Sequence, residues 1–231
     1  MKRFFEEAVS IASGRGWGVA LDGKPLATPG RAALEVPTRG LADAIAAEWN
    51  GQEVDIDPSA MPLTGLANAA IDRIAPDPAP HARDVARYCE SDLTCYRAEQ
   101  PVALVARQAE SWNPLLDWAR ETFGVELEVI TGIVHRAQPE ASVARLGEEV
   151  AALDAFRLAA LTPLVTIGGS LVAALALVSG AFEEDAVWAA VTVDEDWQAG
   201  QWGADAGAIV ARDSRRRDFA AATRMWRLLE G

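Results

Sequence analysis

The stretch Leu158-Ala-Ala-Leu-Thr-Pro-Leu-Val-Thr-Ile-Gly-Gly-Ser-Leu-Val-Ala-Ala-Leu-Ala-Leu-Val178 decides how this chain folds, because it carries no charge over 21 residues. A run of that length is long enough to cross a bilayer. Pro163 and the run Gly168-Gly-Ser170 interrupt it, however, and amphipathic helices elsewhere in the chain are available to cover it. A membrane-spanning helix is therefore one interpretation, and a fully buried core helix is the favoured one.

Helices are predicted on both sides of this apolar stretch. One of them carries apolar side chains at steps of three and four residues, namely Val105, Ala109, Trp112, Leu116, Ala119 and Phe123. Such spacing is typical of one buried helix face. Similar stripes predict helices over residues 139–153, over 183–198 and at the end of the chain. The sequence therefore predicts a helical bundle packed around residues 158–178.

The first 37 residues have strand and turn character instead. Larger side chains alternate with glycine and alanine over residues 17–21, and Asp22-Gly23 then supplies a hairpin turn. Thr38 is placed to cap a following helix. The stretch from Pro76 to Pro80 contains three prolines and resists both helix and strand, which makes it the best candidate for a linker.

These patterns predict the α+β fold class, with a small N-terminal domain of antiparallel sheet plus helices and a C-terminal helical bundle. The predicted domains are residues 1–78 and residues 79–231. Residues 125–130 alternate as a strand does, and they are a candidate to pair with the N-terminal sheet. Trp49 and Trp112 lie on the apolar stripes of their helices, so we expect both rings in the core.

The chain of 231 residues carries 34 acidic and 21 basic side chains, which gives a net charge of −13. This sign opposes binding to nucleic acid and to anionic lipid surfaces. A basic patch on a partner protein is compatible with it, and so is the simpler interpretation that the acids keep the protein soluble. Cys89 and Cys95 are too few for a disulfide framework and are expected to be buried thiols. Glu6 and Glu7 rule out a signal peptide, so a cytosolic protein is expected.

No catalytic or metal-binding template is complete in the sequence. The glycines at 14–16 and 168–169 lack the spacing of nucleotide-binding loops, and no serine lies in the setting of a nucleophile elbow. We therefore expect a protein that is not an enzyme and that needs neither a metal nor a cofactor. The alternative is an enzyme of unknown reaction, whose site would gather Asp92, Tyr96 and Arg97 near Asp194 and Glu195.

The segment Asp194-Glu-Asp-Trp-Gln-Ala-Gly-Gln-Trp-Gly-Ala-Asp205 combines three consecutive acids with two tryptophans. On a helix, the three acids spread over about 200° and cannot all face one site. Tryptophan is typical of recognition surfaces because it buries a large area with few rotatable bonds. Two interpretations stay open: a partner-binding surface, or tryptophans in the core beside solvated acids.

The segment Glu90–Glu99 joins two predicted helices and is rich in polar groups. In a loop, such groups often fix a junction by hydrogen bonds and ion pairs. We predict a buried network between Asp92 and Arg97, with Tyr96 beside it, that holds the two domains together. A partner-facing site is the alternative.

Six stretches resemble, in order, the signatures of one protein family. They are Leu21–Pro29, Met61–Arg73, Glu90–Ala98, Arg107–Trp118, Gly168–Leu177, and Asp194–Gln198 with Trp202-Gly203. The family is that of the ATP synthase assembly chaperones that attend the alpha subunit of the catalytic head (the ATP-twelve chaperone family), known from mitochondria and related alphaproteobacteria. The resemblance runs from about residue 3 to residue 229.

This resemblance implies a non-enzymatic chaperone without a nucleotide of its own, built from an N-terminal α+β domain and a C-terminal helical domain. It implies that the partner is the unassembled alpha subunit of F-type ATP synthase, which is held until the beta subunit replaces the chaperone. The compartment would be the bacterial cytoplasm, and the mitochondrial matrix for eukaryotic relatives. We expect a monomer without membrane insertion.

The resemblance also implies a set of partner-binding residues, namely Asp194, Glu195, Trp197, Gln198, Trp202, Gly203 and Asp205. Trp49 matches another family position, and its place on a helical stripe predicts that it supports the fold. One position departs from the pattern, because bacterial relatives often have an acid where this chain has Gly207. If that acid contacts the partner, Asp205 is the residue placed to do so here.

Overall fold

The structure, a computed structural model, describes residues 1–14 and 16–230. These residues form two compact units. The first contains Met1–Pro78, Asp154–Ala160 and the residues from Ala221 onward, and the second contains Ala79–Leu153 and Leu161–Ala220. The predicted α+β class is confirmed, because an antiparallel sheet with helices is followed by a mainly helical region.

The strands are short and lie in two separate sheets: β1 (Ala8–Ser13), β2 (Gly16–Leu21), β3 (Lys24–Pro25), β4 (Glu35–Val36), β5 (Tyr96–Arg97) and β6 (Ile130–Thr131). The α-helices are α1 (Arg39–Asn50), α2 (Pro62–Ala69), α3 (Pro78–Ala86), α4 (Val102–Phe123), α5 (Glu140–Ala151), α6 (Ala155–Gly168), α7 (Leu171–Val178), α8 (Glu184–Val191), α9 (Val193–Trp202) and α10 (Ala206–Leu229). Short 3-10 turns cover Pro58–Ala60, Arg87–Ser91 and Leu93–Cys95, and a π-helical turn covers Ala70–Ile74.

In the first unit, β2 pairs antiparallel with β1, β3 and β4. The predicted turn at Asp22-Gly23 is present, and both residues have the positive φ (48° and 78°) that a tight hairpin turn requires. The predicted cap of α1 is also present, since Thr38 Oγ1 accepts a hydrogen bond from the Leu41 backbone N–H. α1 packs on the sheet.

The long helix α4 organises the second unit and packs against α7, α8 and α9. Trp112 on α4 is fully buried, and its indole N–H donates to the Ala190 carbonyl over 2.7 Å. A buried tryptophan needs a partner for that N–H, so the hydrogen bond fixes α4 against α8 as well as filling the core.

The apolar stretch forms two helices rather than the single predicted one. Gly169, with φ of 64°, ends α6, and Ser170 begins α7. Every residue of α7 from Leu171 to Leu177 is buried. Among the described residues, no helix combines the length and the hydropathy that a membrane crossing requires.

A buried carboxylate fixes the beginning of α7. Asp92 is fully buried and accepts hydrogen bonds from the Thr94 backbone and hydroxyl (3.0 and 2.7 Å), from the Ser170 hydroxyl (2.7 Å) and from the Val172 backbone N–H (3.0 Å). Ser170 in turn caps α7, since its Oγ accepts from the Ala173 backbone N–H. Burial raises the pKa of Asp92, and the four hydrogen bonds oppose that rise.

The expected pairing of residues 125–130 with the N-terminal sheet is wrong. Only Ile130–Thr131 is a strand, and it pairs in parallel with β5. The reason is that two buried side chains already form hydrogen bonds with backbone groups that a neighbouring strand would need. Ser142 bonds both the N–H and the carbonyl of Glu126, and Gln138 does the same for Glu128.

Replacing Ser170 by alanine should lower the free energy of unfolding by about 2–3 kcal/mol, because α7 loses its cap and Asp92 loses a donor. Denaturant titration measures the change. Ser179→Ala is the matched control, since Ser179 is exposed at the other end of α7, and we expect it to cost less than about 0.5 kcal/mol. Equal effects of the two substitutions would contradict this role of Ser170.

Neither cysteine of the folded protein should react with a thiol reagent at about pH 8. Both side chains are fully buried, and burial raises the pKa of Cys89 and of Cys95 to about 12, with the charge of Asp92 adding to the rise. At that pKa only about one thiol in 10⁴ is ionised at pH 8. The accessible thiols can be titrated with an aromatic disulfide, first in the folded protein and then after unfolding in guanidinium chloride. Rapid reaction of either thiol in the folded protein would contradict the prediction.

Candidate functional site

Helix α9 and its junction with α10 carry the residues predicted to bind a partner. The helix begins with Asp194, Glu195 and Asp196 in its first turn, where negative charge interacts favourably with the helix dipole. Trp197 is half-buried and Gln198 is exposed. The segment therefore changes along its length, from an acidic start to a more exposed aromatic end.

The three consecutive acids point to three different neighbours. Asp194 accepts a hydrogen bond from Gln108 of α4 over 2.7 Å. Glu195 pairs with Arg215 and Asp196 pairs with Arg212, both on α10. The hydrogen bond from Arg212 to Asp196 raises the pKa of that guanidinium. Partly exposed pairs of this kind contribute about 0.2–1 kcal/mol each, so they align α9 with α10 more than they stabilise the fold.

The end of α9 exposes an aromatic side chain. Trp202 is 76% exposed and Val210 is 67% exposed, with Ile209 at 49% nearby on α10. A hollow of about 280 Å³, called here the Trp202 hollow, is lined by Glu195, Gln198, Trp202, Asp205, Ile209 and Arg212 among others. Of the predicted partner-binding residues, the structure thus brings Glu195, Gln198, Trp202, Gly203 and Asp205 together around one concavity.

Asp205 lies directly before α10, and the absence of a side chain at Gly207 leaves room for its carboxylate. The Asp205 carboxylate accepts a hydrogen bond from the Ala208 backbone N–H over 2.9 Å. A Cβ atom at position 207 would lie 3.1 Å from Asp205 Oδ1, so a larger residue there would require the carboxylate to shift by a few tenths of an ångström. An acid at position 205 and a glycine at position 207 are therefore structurally compatible in this chain.

A larger cleft of about 770 Å³, called here the β5 cleft, lies next to the Trp202 hollow along α9. It is lined by Tyr96, Arg97, Glu99, Ile133, Asp194 and Gln198 among others. Gln198 lines the Trp202 hollow as well, so the two concavities adjoin along α9. Asp194 lies in the cleft and not in the hollow.

The predicted network between Asp92 and Arg97 contains no direct ion pair between them, but both side chains bond Thr94. Asp92 is bonded by Thr94, Ser170 and Val172, as described above. Arg97 instead donates to the Thr94 carbonyl (3.2 Å) and to Asn113 (3.0 Å), and its guanidinium lies 5.0 Å from the Trp112 ring centroid. No carboxylate of residues 1–14 or 16–230 forms an ion pair with it, and burial lowers the pKa of Arg97.

The other residues predicted to be structural lie within their own units. Trp49 is buried against Phe5, with ring centroids 5.6 Å apart in an edge-to-face arrangement. Trp112 is the fully buried side chain that donates to Ala190. The Tyr96 hydroxyl lies 3.0 Å from Nδ1 of His135, which joins the segment after β6 to β5.

Sequence reasoning missed two apolar pairs on the surface, Ile133-Val134 and Ile209-Val210. Ile133 is 97% exposed and Val134 is 74% exposed. The signal that could have revealed them is a pair of adjacent branched apolar residues outside any helical stripe. Ile133 and Val134 line the β5 cleft, and Ile209 lines the Trp202 hollow.

The groups of the alternative enzymatic site do not converge. Asp92 is fully buried, Tyr96, Arg97 and Asp194 line the β5 cleft, and Glu195 lines the Trp202 hollow. Within the part of the chain that the structure describes, no cluster of histidine, cysteine and carboxylate side chains could hold a metal ion. A single catalytic centre made of these five residues is therefore incompatible with the geometry.

Comparison with protein families identifies the class as a chaperone. The family model described as "ATP12 chaperone protein" matches residues 2–120, just over half of the chain. The chain belongs to the ATP12 chaperone family, as its six sequence motifs predicted. The members of this class are non-enzymatic assembly factors, which confirms the prediction that the protein is not an enzyme.

Two solved structures are similar over nearly the whole chain. Atp12 from Paracoccus denitrificans is 40% identical, with 99% of this chain and 98% of that chain covered and a TM-score of 0.93. The Atu1473 protein from Agrobacterium tumefaciens is 39% identical, with 99% of this chain and 86% of that chain covered and a TM-score of 0.95.

Proposed function

We propose that this protein binds the unassembled alpha subunit of the F-type ATP synthase catalytic head and releases it for assembly with the beta subunit. The family supports a role in ATP synthase assembly, and the collinear motifs resemble those of the alpha-specific chaperones. The observation that carries the proposal is the exposure of Trp202 beside Ile209, which lines the same hollow on a folded unit. Exposed apolar patches of this kind mark interaction sites.

The physical task explains why the surface is built this way. A subunit of a ring exposes apolar interface before assembly, and that interface promotes self-association. A chaperone has to cover the interface and still leave when the true partner arrives. Modest affinity, on the order of micromolar or about 8 kcal/mol, meets both demands and can rest on a few aromatic anchors with a polar rim.

The ion pairs on α9 refine which residues contact the partner. Glu195 and Asp196 are each paired with an arginine of α10, so we assign them mainly to positioning the Trp202 hollow. We assign Trp202 as the apolar anchor and Asp205 as the acid at its rim. Asp205 would then replace the acid that bacterial relatives carry at the position of Gly207.

The net charge and the similar bacterial structures bear on the kind of partner and on the compartment. A net charge of −13 opposes nucleic-acid binding, which leaves a protein surface as the partner. We propose a monomer that acts in the bacterial cytoplasm, where the alpha subunit is made. The similar structures from Paracoccus denitrificans and Agrobacterium tumefaciens support a bacterial setting.

Trp202→Ala should weaken binding to the isolated alpha subunit by about 30-fold, the effect of losing a 2 kcal/mol anchor. The free energy of unfolding should change by less than about 0.5 kcal/mol, because the ring is exposed. Titration calorimetry with purified alpha subunit measures the affinity, and denaturant titration measures stability.

Phe4→Ala is the control, since Phe4 is a 62% exposed aromatic of the other unit that does not line the hollow. We expect it to leave the affinity unchanged. A loss of more than about 3 kcal/mol of stability in Trp202→Ala would show a core role for this ring. Absence of binding between the unsubstituted protein and the alpha subunit at tens of micromolar would overturn the proposed function.

A further inference from the structure

The β5 cleft has apolar walls and an exposed apolar lip. Leu93 and Leu104 lie in its wall, and Ile133 and Val134 form the lip. The two lip residues are 97% and 74% exposed. Two adjacent branched side chains exposed beside a concavity of about 770 Å³ are a surface that gains free energy when another chain covers it.

The lip is anchored on both sides, which holds the two side chains in place. The Gly132 backbone N–H donates to the Arg97 carbonyl over 2.9 Å. The His135 ring meets the Tyr96 hydroxyl at 3.0 Å. Gly132 has φ of 86°, and a Cβ there would lie 3.1 Å from Glu99 Oε1. The glycine thus lets the chain turn beneath Glu99, and Ile133 and Val134 project between the two anchors.

The cleft is lined by two carboxylates, Glu99 and Asp194, and by one arginine, Arg97, so its net charge is negative. Arg97 is held by Thr94, Asn113 and the Trp112 ring. Glu99 and Asp194 both line the cleft, and neither forms an ion pair with any residue of 1–14 or 16–230. Their neighbours Glu195 and Asp196 do form ion pairs, so Asp194 is the one acid of the α9 triplet left for a basic partner.

Gln108 fixes the orientation of Asp194 towards that partner. Its amide oxygen accepts from the Ala98 backbone N–H over 2.8 Å, and its amide nitrogen donates to Asp194 Oδ1 over 2.7 Å. Asp194 Oδ2 makes no hydrogen bond to the described residues. A carboxylate that is held in place before binding loses little conformational entropy when it meets a cation.

We propose that the β5 cleft binds a segment of the client protein that presents a lysine or arginine beside an apolar side chain. The cation pairs with Glu99 and Asp194, and the apolar neighbour packs between the lip and the wall at Leu93 and Leu104. This assignment rests on the proposed function, because the client is the alpha subunit. Gln198 lines both concavities, so the cleft and the Trp202 hollow form one continuous docking surface.

The double variant Ile133→Ser/Val134→Ser tests the apolar half of the site. Binding to isolated alpha subunit should weaken by about 10-fold, because two branched side chains lose their burial in the complex. The matched control is Val102→Ser, since Val102 is 82% exposed in the same unit and does not line the cleft. The control should bind like the unsubstituted protein, and the melting temperature of each variant should be unchanged.

Glu99→Gln tests the charge. It should weaken binding by about 3- to 10-fold at low salt and reduce the salt dependence of the affinity, since an ion pair across an interface is screened by salt. Glu110→Gln is the control, because Glu110 is exposed on α4 and does not line the cleft. Overlapping 15-residue peptides of the alpha subunit, assayed for binding to the full chain, then locate the segment. The bound peptides should contain a basic residue next to an apolar one.

The outcomes separate this assignment from the function on which it rests. Failure of the unsubstituted protein to bind the alpha subunit overturns both. Binding by the unsubstituted protein together with undiminished binding by the lip and Glu99 variants overturns the cleft alone. Selection of acidic peptides, or a dimer in sedimentation that the lip substitutions dissociate, also overturns it, because the occupant would then be another segment or a second copy of this chain.

Discussion

The Asp92 carboxyl group lies fully buried in the second unit, and the geometry of that unit depends on how this polar group is accommodated. Four donors converge on it: two belong to Thr94, two residues away, and the others belong to Ser170 and Val172, which are 78 and 80 residues away in sequence. A hydrogen bond contributes about 1 kcal/mol, and the four together oppose the effect of burial, which raises the pKa of Asp92. The carboxylate thereby fixes both the start of α7 and the turn that leads into β5. Because β5 forms a wall of the cleft, this interaction also positions the candidate binding surface.

The acids of α9 are also held by partners from distant parts of the chain, although these partly exposed interactions are weaker than those of Asp92. Each acid of the first turn has its own partner: Asp194 bonds Gln108, Asp196 pairs with Arg212 and Glu195 pairs with Arg215. The helix is therefore held both by α4 and by α10. Its far end is then free to expose Trp202. A binding surface on a rigid helix needs little ordering when a partner arrives, and that keeps the entropic cost of association low. Modest affinity can then come from few contacts, which suits the binding and release that we propose.

The local features could be predicted from the sequence, whereas the long-range pairings could not. The turn at Asp22-Gly23 and the cap at Thr38 depend on neighbouring residues alone, and both are present. The burial of Trp112 followed from its helical stripe. By contrast, the partner of Arg97 is Asn113 rather than the nearby Asp92. Which acids of α9 are paired depends on arginines 16 and 20 residues away, and no spacing rule predicts that choice.

The hydrogen-bond partners of residues 125–130 were likewise not predictable from the sequence, and they have a further consequence. The alternation was a correct sign of extended backbone, but Ser142 and Gln138 took the hydrogen bonds that a neighbouring strand would have made. An extended segment with unsatisfied N–H and carbonyl groups is a template on which another polypeptide can add as a strand. If the protein binds an unassembled subunit, as we propose, it would be especially exposed to that hazard. Because Ser142 and Gln138 close this edge, the proposed partner subunit would bind through side-chain contacts and would not add to the fold as an extra strand.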